Sequence, residues 1–163
     1  MRLRKATRGY TMRMAGGERG SAMVELALVL PIAMVVFTGM LQFGVYINNS
    51  LELQNATSLA AQYLSVNRGT TAAADPCNLT ASAFGNVSPY LNSSKVSFSF
   101  TFQPQSATSG TTYTGTTCTG AASLLTQGGT AQVSTTYPCS LAIYGINLAP
   151  TCNLHAQVTE VIQ

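Results

Sequence analysis

The stretch Gly20-Ser21-Ala22-Met23-Val24-Glu25, which runs directly into the apolar residues 26–47, decides how the rest of the chain is arranged. Residues 22–47 contain no Lys, Arg or Asp. At about 1.5 Å per residue, a helix of this length is somewhat longer than the roughly 30 Å hydrocarbon layer of a bilayer. Because only a helix satisfies its own backbone groups inside lipid, the stretch predicts a membrane-spanning helix, which Pro31 would bend without ending it.

The charge distribution predicts the topology. The chain of 163 residues has a net charge of +3 and an unusually low charged fraction of 8%. Six cations precede the apolar stretch, whereas Arg68 and Lys95 are the only two that follow it. The positive-inside rule then predicts a basic cytoplasmic leader at residues 1–20, a span at 21–47 and a remainder outside the cytoplasm. A basic arm that continues straight into a span does not indicate a nucleic-acid partner.

Glu25 is the one acid within residues 22–47. A carboxylate costs about 2.5–3.5 kcal/mol at the centre of a membrane helix and less near an end, where it can reach headgroup water. A functional alternative is a specific cation. Cleavage of the Gly20–Ser21 bond would create an α-ammonium on Ser21, mostly protonated near neutral pH, about one helical turn from Glu25. Between neighbouring subunits, such a pair would cancel two charges that neither could bury alone.

The same residues carry a resemblance to a known family. A glycine before the scissile bond and a glutamate at the fifth position after it, followed by an apolar helix, resemble the pattern processed by type IV prepilin peptidases. Residues 19–31 (Arg-Gly-Ser-Ala-Met-Val-Glu-Leu-Ala-Leu-Val-Leu-Pro) resemble more closely the opening of TadE-like proteins. Residues 39–44 (Gly-Met-Leu-Gln-Phe-Gly) are similar to that family's Gly-x-x-(Glu/Gln)-Phe-Gly element. Leu26 departs from the family pattern, which usually has an aromatic residue after the glutamate.

The resemblance implies a minor pilin, or pseudopilin, of the tight-adherence (Flp-type) pilus, which mediates surface attachment. Its implied partners are a prepilin peptidase, other pilin and pseudopilin subunits, and an assembly platform in the inner membrane. The implied location is a single pass through the bacterial inner membrane, with the C-terminal domain in the periplasm or, after assembly, in the extracellular pilus. Helix packing in lipid relies on small residues, and the candidates here are Ala22, Ala27, Gly39 and Gly44.

Beyond the span, the sequence predicts that the helix continues. Apolar residues recur at spacings of three and four through residues 48–67, which predicts an amphipathic extension and one helix from about Ser21 to about Leu64. An alternative is two helices hinged near Asn48. Residues 68–76 predict a loop, and Leu79–Phe84 a short helix capped by Asn78.

The remaining sequence predicts a sheet. Val96, Phe98, Phe100 and Phe102 alternate with polar residues, as in a half-buried strand, and the outer part of the long helix is the expected partner of this aromatic face. Residues 104–129 are rich in Thr, Ser and Gly and predict a long loop or hairpin excursion with little order except where Cys118 holds it. Alternation in residues 131–137 and 154–158, together with residues 141–146, brings the total to three or four antiparallel strands. Residues 68–163 are therefore expected to form a small extracytoplasmic domain, and the whole chain an α+β fold that resembles pilins.

The four cysteines all follow the apolar stretch. An even number on the side predicted to be oxidising favours two disulfides, for which three connectivities are possible. The sequence favours Cys139–Cys152, which closes a short loop between adjacent strands, and this leaves Cys77 with Cys118. A zinc site would have to combine His155 with Cys152, and no Cys-x-x-Cys motif supports it.

Catalysis has little support, because the sequence contains a single histidine, no nucleophile motif and no phosphate loop. We expect a structural protein without a cofactor or metal. Two alternatives stay open: an uncleaved, membrane-anchored scaffold of the envelope, and a membrane-tethered binding module that uses the Ser/Thr-rich loop.

Overall fold

The computed structural model describes residues 17–67, 75–139, 141–143 and 145–163. Most of the predicted leader (residues 1–16) and most of the predicted loop at 68–76 (residues 68–74) lie outside these ranges. The described chain divides into two compact units after Gly39, and each is treated separately below. It has a long N-terminal helix and a small antiparallel sheet, which is the predicted α+β arrangement.

Helix α1 runs without interruption from Gly17 to Val66, so it begins four residues earlier than predicted and has no break near Asn48. Pro31 lies inside it, as the sequence predicted. Thr38 turns its hydroxyl back to the carbonyl oxygens of Met34 and Val35, at 2.7 and 3.0 Å. This local bond satisfies a polar group within an apolar environment.

Helix α2 (Pro76–Val87) is longer than the predicted helix and begins at a different cap. The prediction of Asn78 as the cap is wrong. Asp75 is the N-cap, and its carboxylate accepts hydrogen bonds from the backbone N–H groups of Cys77 and Asn78. Pro76 occupies the first helical position, where its missing N–H costs nothing and its fixed φ suits the helix.

Four strands form one antiparallel sheet in the order β2-β1-β3-β6. The strands are β1 (Ser97–Gln103), β2 (Thr111–Thr114), β3 (Thr130–Pro138) and β6 (Asn153–Val161). The alternation predicted for β1 is confirmed, since Phe98, Phe100 and Phe102 are buried. Two short strands, β4 (Ala142–Ile143) and β5 (Ile146–Asn147), pair only with each other.

The Thr/Ser/Gly-rich segment 104–129 is more ordered than its composition predicted. It contains β2, which pairs with β1, and a 3-10 helix at Ala121–Leu124. The ring of Tyr113 in β2 packs against Phe102, with centroids 5.8 Å apart. The hairpin alternative of the prediction is therefore confirmed at β2, where a cross-strand ladder and an aromatic contact fix the segment.

The core of the second unit joins the outer part of α1 to the sheet. Leu53, Ala56, Ala60, Ala61 and Leu64 recur at helical spacing and are all buried in one cluster with the inner face of the sheet. Phe84 of α2 meets Phe98 edge to face, with centroids 5.2 Å apart. The expected partner of the aromatic strand face is thus confirmed.

Candidate functional site: the exposed helix and its disulfide-bonded domain

The candidate assembly residues lie on the N-terminal part of α1 and share one property. Residues 20–37 are exposed throughout, including large apolar side chains such as Met23 (70% exposed) and Phe37 (59% exposed). The described residues contain one helix long and apolar enough to cross a membrane. Exposed apolar surface on this scale must be covered by lipid or by another protein.

Glu25 lies on this exposed helix, one turn after Ser21. Within the described part of the chain, its carboxylate has no hydrogen-bond or ion-pair partner. About one turn of helix separates the Glu25 carboxylate from the backbone nitrogen of Ser21.

No contact among the described residues accounts for the small residues predicted to support close packing. A Cβ atom placed on Gly39 or Gly44 would meet no heavy atom within 4 Å beyond the helix's own neighbouring backbone. Ala22 and Ala27 are exposed on the same helix. Glycine in a helix interior costs about 1 kcal/mol relative to alanine, so contacts within the subunit do not explain its presence at these positions.

The structure brings together the two cysteine pairs that the sequence favoured. The Cα atoms of Cys77 and Cys118 are 5.6 Å apart, and those of Cys139 and Cys152 are 5.2 Å apart. Both Cα–Cα distances lie in the range found for disulfide-bonded cysteines. The first joins the start of α2 to the segment that follows β2, and the second joins the end of β3 to the start of β6.

Asp75 is a structural residue that the sequence reasoning missed. Besides capping α2, its Oδ2 accepts a hydrogen bond from the backbone N–H of Cys118, at 2.8 Å. Ligand atoms of Asp75, Cys77 and Cys118 lie within 4.8 Å of one another. Because both cysteines are joined in a disulfide, neither offers a thiolate to a metal. The Asp-Pro pair at 75–76 was the sequence signal that could have identified this cap.

Two further polar groups lie on the second unit. Glu52 Oε1 accepts a hydrogen bond from the backbone N–H of Tyr90 at 3.0 Å, whereas its buried Oε2 has no partner among the described residues. His155 is exposed on β6, and its Nδ1 lies 3.0 Å from the hydroxyl of Thr136.

These features define a class of protein: a chain with one candidate membrane helix followed by a small, disulfide-bonded α+β domain. Residues 20–62 match the family model described as TadE-like protein, so the family resemblance of this segment is confirmed. The match indicates involvement in a tight-adherence (Flp-type) pilus system and supports a membrane anchor. No curated protein and no solved structure gives a significant match to the chain.

Proposed function

We propose that this chain is a minor pilin, or pseudopilin, that takes part in assembling a tight-adherence type IV pilus for surface attachment. The observation that carries the proposal is the position of Glu25. It stands one turn after Ser21, on an exposed apolar helix whose sequence is TadE-like.

The proposed mechanism begins with a prepilin peptidase, which hydrolyses the Gly20–Ser21 bond and leaves an α-ammonium on Ser21. In lipid, apolar helices gain little from contact with one another, so association depends on close packing and paired polar groups. The ammonium of one subunit meets the Glu25 carboxylate of another, which cancels both charges as the helices leave the bilayer. Gly39 and Gly44 allow the close approach of neighbouring helices.

The proposed orientation has the leader in the cytoplasm and the domain after residue 47 in the periplasm. The distribution of cations supports this orientation, and so do the two cysteine pairs, which fit an oxidising compartment. The role proposed for the chain is structural, with no catalytic step of its own. Its partners are the peptidase, other pilins and pseudopilins, and the assembly platform of the inner membrane.

The experiment is a comparison of Glu25→Val with Met23→Val in a cell whose attachment depends on the pilus. Both variants place valine on the same exposed helix, but only the first removes a charge. We expect both proteins to be recovered in the membrane fraction, with attachment and co-purification of other pilins lost in Glu25→Val alone. Normal attachment and normal co-purification in Glu25→Val would refute the assembly role.

A further inference from the structure

A polar pocket of about 290 Å³ lies beside α1 in the second unit, where the predicted span ends. Gln42, Tyr46 and Asn49 line it from the helix. Their spacing of four and three residues places them on one helical face. Lys95 lines the pocket from the end of the 3-10 helix Ser93–Lys95, just before β1, and Tyr137 lines it from the end of β3.

The chemistry of the lining favours an anion. Lys95 contributes an ammonium group, Tyr46 and Tyr137 contribute hydroxyls, and Gln42 and Asn49 contribute side-chain amides. None of the described carboxylates lines the pocket. These five side chains have no hydrogen-bond partner within the described part of the chain, although all except Lys95 are partly buried. A ligand with several acceptor oxygens and a negative charge would satisfy them together.

The position along the chain favours a membrane lipid as the source of that anion. The predicted span ends at Ile47, so Gln42 and Asn49 lie on either side of its outer end. Tyrosines concentrate at this depth, where the ring can remain in the apolar layer while the hydroxyl reaches the headgroups, and a lysine can extend its ammonium to the same level.

We propose that this pocket binds the phosphate group of an anionic phospholipid, with Lys95 as its cation and the two tyrosine hydroxyls as hydrogen-bond donors. A bound headgroup would hold the disulfide-bonded domain against the membrane. The proposal rests on the membrane anchoring described under the proposed function and is independent of pilus assembly.

Native mass spectrometry of the full-length chain, released from detergent micelles, tests this site. The added probes are phosphatidylglycerol, a phosphate-free galactosyl diacylglycerol and inorganic phosphate. We expect one phosphatidylglycerol to be retained preferentially. Lys95→Gln should weaken this retention about tenfold, as expected for loss of a hydrogen bond to a charged group, and Lys95→Arg should largely restore it.

Tyr137→Phe is a second test of the pocket, and Tyr113→Phe is its matched control. Each removes one tyrosine hydroxyl, and only Tyr137 lines the pocket. Retention should fall in Tyr137→Phe and stay unchanged in Tyr113→Phe, with the same near-ultraviolet circular dichroism in both.

Several results would overturn the proposal. Equal retention of the glycolipid, or unchanged lipid retention in a folded Lys95→Gln variant, would exclude a phosphate site. Saturation by inorganic phosphate without preference for the lipid would assign the pocket to a soluble anion. Chemical cross-linking in cells gives a further outcome. If Lys95→Gln abolished cross-linking of this chain to another pilin but left lipid retention intact, the ligand would be a protein carboxylate. Carbonate extraction separates this failure from failure of the anchor, since a chain released by carbonate is not a membrane span.

Discussion

The hydroxyl oxygens of Thr57 and Thr135 lie 2.6 Å apart in the core, where α1 meets the central strand β3. Both residues are fully buried. Thr57 already donates its one hydroxyl hydrogen to the carbonyl oxygen of Leu53, at 2.7 Å. Thr135 is therefore the donor of the bond between them, and this bond satisfies the Thr135 hydroxyl, which would otherwise be buried without a partner.

A double-mutant cycle tests this bond. Thr57→Val leaves the Thr135 hydroxyl unpaired, and Thr135→Val leaves Thr57 without its donor, so each should lower the free energy of unfolding by about 1–3 kcal/mol. The double variant removes both polar groups and should lose less than the sum of the two. Urea unfolding of the full-length chain in micelles, followed by tyrosine circular dichroism, measures this. Additive losses would show that the two hydroxyls are not coupled.

Asp75 is expected to matter far more than Asn78. Asp75→Ala removes the acceptor of backbone N–H groups from Cys77, Asn78 and Cys118. We expect it to lower the free energy of unfolding by about 2 kcal/mol, because cap loss and an unpaired donor add together. Asn78→Ala, one turn away on the exposed side, should change it by less than about 0.5 kcal/mol. The same urea titration compares them, and equal losses would contradict the assignment of the cap.

The two disulfides are expected to contribute unequally. Cys77–Cys118 closes a separation of 41 residues and Cys139–Cys152 one of 13. On the loop-entropy estimate, their removal costs about 4 and about 3 kcal/mol, respectively. The paired alanine variants, unfolded in urea beside the reduced wild-type chain, give the two values. A larger loss from the shorter loop would argue against an entropic origin.

The sequence predicted the elements whose pattern is local. The apolar stretch is recognised by its length and its lack of charge. The helix extension, at spacings of three and four, and the alternating phenylalanines of β1 each carry a periodicity, because each buries one regular face. The family resemblance also depended on contiguous residues and is confirmed over residues 20–62.

The elements that the sequence missed depend on contacts distant in the chain. β2 has few apolar residues, and it is fixed by pairing with β1 and by the packing of Tyr113 on Phe102. The cap at Asp75 is reinforced by Cys118, 43 residues away. The pocket combines a helix face with Lys95 and Tyr137, which no single periodicity relates. Only the folded chain brings these side chains together.

The identity of the first residue of the mature protein tests the central claim most directly. N-terminal sequencing of the membrane-extracted chain should give Ser21 as the first residue. Cleavage also makes the chain smaller on a denaturing gel, and Gly20→Leu should abolish this decrease in size, because the peptidase would no longer cleave the Gly20–Ser21 bond. Gly39→Leu is the matched control, since it makes the same change in the helix beyond the cleavage site. A native chain that still begins at Met1, with Gly20→Leu migrating as the wild type does, would contradict the account.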